Sequence, residues 1–165
     1  MDFYLERIRE RLSAVTRGMT TEDLSRHPEG KWSSAEVLEH LSLTYEGTAR
    51  GFQKCLDAGA PIARRPSLRD RIVVTLVITV GFLPGGRQAP EGTRPMGRPP
   101  AEALPTLLQN LATMDGLITR CEERFGNGRL MDHPILGPLS AAEWRKFHWV
   151  HARHHVKQIQ RLRRA

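Results

Sequence analysis

Within "SAAEWRKFHWVHARHHVKQIQRL", residues Trp144, His148, His151, His155, Gln158 and Leu162 recur at spacings of 4, 3, 4, 3 and 4. That rhythm draws one stripe along an α-helix, the stripe a bundle helix turns toward its neighbours. Ser140 followed by Glu143 has the S-x-x-E spacing of a capping box and marks where the helix begins. A helix of about six turns cannot bury such a face alone, so the chain must supply other helices to receive it. The middle of the stripe is imidazole instead of aliphatic carbon, and this raises the question of what the neighbours must accommodate.

The rest of the chain supplies the partners. Phe3, Leu5, Ile8, Leu12 and Val15 predict a helix over residues 2–17, which Gly18 and "TTEDL" interrupt. His27, Pro28 and Gly30 read as a turn. Ser33 and Glu36 form a second S-x-x-E box, opening a helix to about Leu56 with Val37, Leu41, Thr44 and Thr48 on one stripe. Gly59 and Pro61 end it. A further helix is expected over 101–125, with Leu107, Leu108, Leu111, Met114, Leu117 and Ile118 as its apolar face. No segment shows the alternation of a sheet protein. The expected class is therefore all-α, a single-domain four-helix bundle spanning residues 1–165.

Residues 61–100 interrupt this plan. They hold seven of the eleven prolines, five of the fourteen glycines and seven arginines against two acids. A short apolar helix is expected near 68–82, followed by the irregular "PGGRQAPEGTRPMGRPP". A connection of this length is either a passive crossover or a binding loop. The run "IVVTLVITVGFL" would rise roughly 18 Å as a helix, too short for a hydrocarbon core of about 30 Å. No transmembrane segment is expected. The run reads as a buried core helix, with a membrane-surface patch beside Arg69 and Arg71, or packing against a second copy in a homodimer, as the alternatives.

Charge and cysteine usage narrow the function classes. The net charge of +7 is concentrated in residues 61–100 and in residues 144–165, which carry seven basic side chains and no acid. Such blocks favour anionic partners. Aromatic residues are only 6%, are not interleaved with the basic ones, and no nucleic-acid-binding signature occurs, so a solvated face is expected over nucleic acid. Cys55 and Cys121 have no paired spacing, and "MDFYLERIRERL" lacks the apolar stretch of a secretory signal. A reducing cytoplasm is the expected location.

His151 and His155, at i and i+4, project from one helix face and can serve as neighbouring ligands of one ion. A catalytic site needs a third protein ligand, and His40, mid-way along the second long helix beside its core stripe, is the candidate. The competing reading is of hydrogen-bonded core histidines. His27 and His133, each before a proline, read as turn residues. His148 shares the stripe and His154 lies on its flank.

Two stretches carry a family resemblance. "KWSSAEVLEHL" resembles the W-S-x-x-E-[VI]-[LI]-x-H-[LI] opening of the second helix in the DinB-like superfamily of four-helix-bundle metalloproteins. "HPILGPLSAAEWRKFHWVHARHHVKQI" resembles their last helix, with its H-x-x-H-H-x-x-Q. The resemblance implies one divalent ion on His40, His151 and His155, with zinc or nickel expected first and iron, cobalt or manganese as alternatives. It also implies a small-molecule substrate, such as a low-molecular-weight thiol of the mycothiol or bacillithiol kind, and transferase or hydrolase chemistry in which the metal lowers the pKa of a bound thiol or water. His154, Gln158 or His148 would support the ligands, and Arg87, Arg94 or Arg153 would hold a carboxylate. The 61–100 insertion departs from the family pattern. The alternative function is a non-catalytic stress-related or interaction protein that binds an anionic partner, a membrane surface or nucleic acid, on the same bundle.

Overall fold

Side-chain oxygens cap the first turns of five of the described helices, from Asp2, Thr20, Ser33, Ser67 and Ser140. The computed structural model describes residues 1–27, 29–81 and 89–164, apart from the Thr79 side chain. The helices are α1 (Phe3–Thr16), α2 (Thr21–Ser25), α3 (Ser34–Ala58), α4 (Leu68–Val74), α5 (Pro100–Phe125) and α6 (Ala141–Leu162). Ser33 with Glu36 and Ser140 with Glu143 close the two expected capping boxes at the starts of α3 and α6. Thr20 with Asp23 and Ser67 with Asp70 close two more, at α2 and α4. These use aspartate where the sequence reading sought glutamate, which is why α2 was expected only as an interruption.

The chain is mostly helical, as its periodicity requires. α3 lies along α5 and α1 lies along α6, with α3 also meeting α6. Leu5, Ile8, Leu12, Val37, Leu41, Leu107, Leu111, Met114 and Ile118 fill the space between them and are all buried. Phe3 departs from the α1 stripe and is exposed. Cys55 and Cys121 are buried and free, their thiols directed at the carbonyls of Leu130 and Phe52.

One small ribbon accompanies the helices. Met131–His133 (β1) pairs antiparallel with Gly137–Leu139 (β2), in the register Met131 to Leu139. Three-residue strands are too short to show alternation, so pattern reading misses them. His133 is the turn residue expected: its Nδ1 accepts the amides of Ile135 and Leu136, both at 3.1 Å.

Gly137 sits where this ribbon meets the 61–100 segment. Arg64 grips Asp70 with both terminal nitrogens, at 2.7 and 2.8 Å, which with the Ser67 bonds holds the Asp70 carboxyl well below the usual carboxylate range. A Cβ on Gly137 would lie 2.5 Å from Asp70 Oδ1, and its φ is +77°. Gly137→Ala is therefore expected to lower stability by at least about 2 kcal/mol in urea titrations. Gly18→Ala, equally left-handed at φ +74° but with open space around it, isolates the backbone strain alone, about 1 kcal/mol.

The apolar run is buried along one side only. The chain continues α4 into a π-helical turn, Thr75–Thr79. Val74, Val77 and Ile78 are buried, whereas Leu68, Ile72, Leu76 and Val80, spaced four apart, are exposed. Phe82 and Leu83 lie outside the described residues. Among the described residues no helix is long and apolar enough to cross a membrane.

Candidate metal centre

The helix register delivers three imidazoles to one point. His151 and His155 come from adjacent turns of α6, and His40 comes from the middle of α3. His151 is central: its Nε2 lies 3.3 Å from His40 Nε2 and 3.0 Å from His155 Nε2. One ring nitrogen from each of the three falls within 4.8 Å of the others. Nitrogens bound at 2.0–2.1 Å to a tetrahedral ion stand about 3.3 Å apart, so these separations suit shared coordination.

The other ring nitrogens fix which atom is available. His40 Nδ1 donates to the carbonyl of Thr93 at 2.7 Å, since a carbonyl can only accept. His155 Nδ1 donates to Gln158 Oε1 at 3.0 Å. Both rings therefore turn a bare Nε2 lone pair toward His151. Supporting hydrogen bonds of this kind set the tautomer and orientation of histidine ligands. Gln158→Ala is expected to weaken metal binding about 10- to 100-fold, measured by competition with a chromogenic chelator, without unfolding the protein.

Burial keeps the three rings neutral. It pushes His155 down to about 3 and His151 well below the ordinary histidine range, with the neighbouring imidazoles adding to both. His40 is lowered by burial too, though the Thr93 hydrogen bond opposes the change. A neutral imidazole is the form that donates an electron pair to a cation.

Thr93 belongs to a single 3₁₀ turn, Glu91–Thr93, in the long excursion after α4. The excursion is also held at a second point. Glu39, 2% exposed and adjacent to His40, accepts the amides of Gly97 at 3.1 Å and Arg98 at 3.0 Å. The far part of the insertion thus packs on α3 at the cluster, as a binding loop would. The Trp32 ring lies against His40, ring centres 5.1 Å apart.

Sequence reasoning did not find Thr93, Glu39 or Trp32. The available signal was Glu39 itself, a carboxylate inside the continuously buried stretch 37–43 of α3.

The remaining candidates separate. Gln158 supports His155 directly. His154 is exposed beside the His155 ring, 5.1 Å between centres, with no hydrogen bond to it. His148 is fully buried among Tyr45, Trp144 and Phe147, with neither ring nitrogen hydrogen-bonded among the described residues.

Among the arginines, Arg94 is exposed and donates to the Ala89 carbonyl at 3.2 Å. Arg153 lies about 160° around α6 from His151 and His155, by the 3.6-residue repeat, and stacks on Trp149. The expectation that it serves the cluster is therefore corrected. Arg87 lies outside the described residues.

The sequence model of a family described as "Protein of unknown function (DUF1569)" matches residues 6–162. No curated protein and no solved structure matches the chain.

Proposed function

Because the chain belongs to the DUF1569 family, whose function is unknown, we propose from its own geometry that it is a metal-dependent enzyme, and from the resemblance of its two histidine-bearing stretches that it is a four-helix bundle of the DinB-like kind. His40, His151 and His155 hold one divalent ion, with zinc or nickel the first expectation and iron, cobalt or manganese the alternatives. The observation that carries this is the convergence of three Nε2 atoms while the Nδ1 hydrogens of His40 and His155 are already committed to Thr93 and Gln158. A hydrogen-bonded core arrangement accounts for it less well. With two bare acceptors, only one donor, His151 Nε2–H, would have to serve both.

Three protein ligands leave coordination positions for water and substrate, the open arrangement of catalytic sites. When bound, such an ion supplies Lewis acidity and lowers the pKa of a coordinated water or thiol toward neutrality. The substrate proposed is a small molecule, a low-molecular-weight thiol among the candidates, and the chemistry is thiol transfer or hydrolysis. The chain's own part is to hold the ligand rings in one tautomer through Thr93 and Gln158, and to exclude water with Trp32 and the Glu39-anchored excursion. Two free, buried cysteines agree with the proposed reducing cytoplasm.

Elemental analysis of freshly purified protein tests the reading, with one divalent ion per chain expected. Folded protein that stays metal-free after expression in metal-replete medium overturns it.

The exposed row Leu68, Ile72, Leu76 and Val80 favours a second reading, an interaction protein that uses this face against another copy or an anionic membrane surface. It predicts concentration-dependent mass in light scattering or salt-sensitive retention on anionic vesicles. Monomer at all concentrations with no retention removes it.

A further inference from the structure

On the side of α6 turned away from the histidine cluster, three guanidinium groups gather on one indole. Arg7, Arg11 and Arg153 lie 4.7, 5.3 and 5.7 Å from the Trp149 ring centre. No two of them can then be more than about 11 Å apart. Like charges this close repel unless an anion stands among them. Some other arginines are neutralised by carboxylates, as Arg9 is by Glu6, Arg50 by Glu46, Arg64 by Asp70 and Arg145 by Glu122. Among the described residues Arg7, Arg11, Arg153 and Lys157 have no carboxylate at ion-pair distance.

The arrangement is concave. A groove of about 360 Å³ between α1 and α6 is lined by these three arginines, Trp149, Lys157 and Gln160. It shares Arg11, Val156 and Gln160 with an adjoining groove of about 490 Å³ that ends at Arg163 and Arg164. Neither is lined by an acidic residue. Their volumes are those of small-molecule sites.

We propose that this groove is an anion site for a soluble small molecule bearing two or more linked phosphate groups. Guanidinium forks match phosphate oxygens two at a time, and several forks within one small groove suit linked phosphates better than an isolated carboxylate. A single-stranded nucleic acid would need free aromatic faces for its bases. The groove's one aromatic ring, Trp149, is 8% exposed and already covered by guanidinium groups. The site does not depend on the metal reading, since the two sites occupy opposite faces of α6.

Inorganic tripolyphosphate is the probe, titrated calorimetrically into the full chain in EDTA so that metal chelation by the probe plays no part. The expected result is 1:1 binding that weakens as salt rises. Arg7→Gln with Arg153→Gln is expected to lower affinity at least about tenfold, through the loss of two charge-assisted contacts. The exposed pair Arg65→Gln with Arg69→Gln removes the same charge elsewhere and is expected to change affinity less than about twofold.

Arg7→Lys with Arg153→Lys keeps the charge and guards against misfolding. It is expected to bind more weakly than the parent and more tightly than the glutamine pair. His151→Ala is expected to bind tripolyphosphate as the parent does, whatever becomes of the metal reading. No binding, or equal losses in the groove and control variants, overturns the site. So does groove-dependent binding of phosphatidylglycerol vesicles or a DNA duplex without binding of tripolyphosphate, which would reassign the surface to a membrane or to nucleic acid.

Discussion

Taking the metal-free protein from pH 7 to pH 4 is expected to remove about 3 kcal/mol of folding stability through His148 alone. In the folded chain its ring is fully buried among aromatic side chains and held at about 3, against 6.5 for an ordinary histidine. Below 6.5 the unfolded chain takes up a proton at this position and the folded chain does not. Stability is therefore whole above pH 6.5 and drains at about 1.4 kcal/mol per pH unit as the pH falls toward 3. His155, at about 3, and His133, at about 4, both through burial, steepen the same slope. Their combined loss approaches the entire stability of an ordinary domain.

Urea titrations in EDTA at pH 7, 6, 5 and 4 measure the slope. His148→Leu removes one proton from it and replaces two unpartnered buried nitrogens with hydrocarbon. Its slope is expected to be shallower by about 1.4 kcal/mol per pH unit in that window. Parallel slopes for the parent and the variant would show that His148 is not where the folded state refuses the proton.

His151→Ala is expected to abolish retention of the ion. Both of the short nitrogen–nitrogen separations in the cluster involve this residue, so without it His40 and His155 face each other across a gap. The affinity loss should exceed about 100-fold, the upper end for losing only a supporting partner such as Gln158. A readout independent of activity is available. An ion present at 100 times its dissociation constant adds about 2.7 kcal/mol to stability, so EDTA should lower the parent's Tm by roughly 5–10 °C. The variant's Tm should be indifferent to EDTA. A variant that still responds to EDTA as the parent does would move the ion away from these residues.

The long helices were legible because each carries an apolar stripe, and α3 and α6 add a capping box. The stripe on α6 sufficed to put His151 and His155 side by side, and capping boxes set the starts of α3 and α6 to the residue. What stayed hidden depends on contacts between segments distant in the chain. The ribbon of Met131–His133 and Gly137–Leu139 is too short to carry a pattern. Thr93 supports His40 through a main-chain carbonyl, which any residue type possesses, so composition cannot flag it. Arg153 was expected at the metal cluster for its charge and its nearness in sequence. The 3.6-residue repeat, carried two residues past His151, turns it to the other side of the helix.

Glu39 and His40 are adjacent on α3, and each holds part of one excursion, at Gly97 and Arg98 and at Thr93. The posture of the His40 ring and the docking of the 93–98 segment therefore share neighbouring contacts on one turn of α3. By linkage, whatever factor the ion contributes to securing that segment, the secured segment returns to the ion's affinity. On the proposed metal reading, a ligand that displaced the Thr93 carbonyl from His40 would also weaken the ion's hold, so occupancy of the pocket and metal retention would be tied to one main-chain contact.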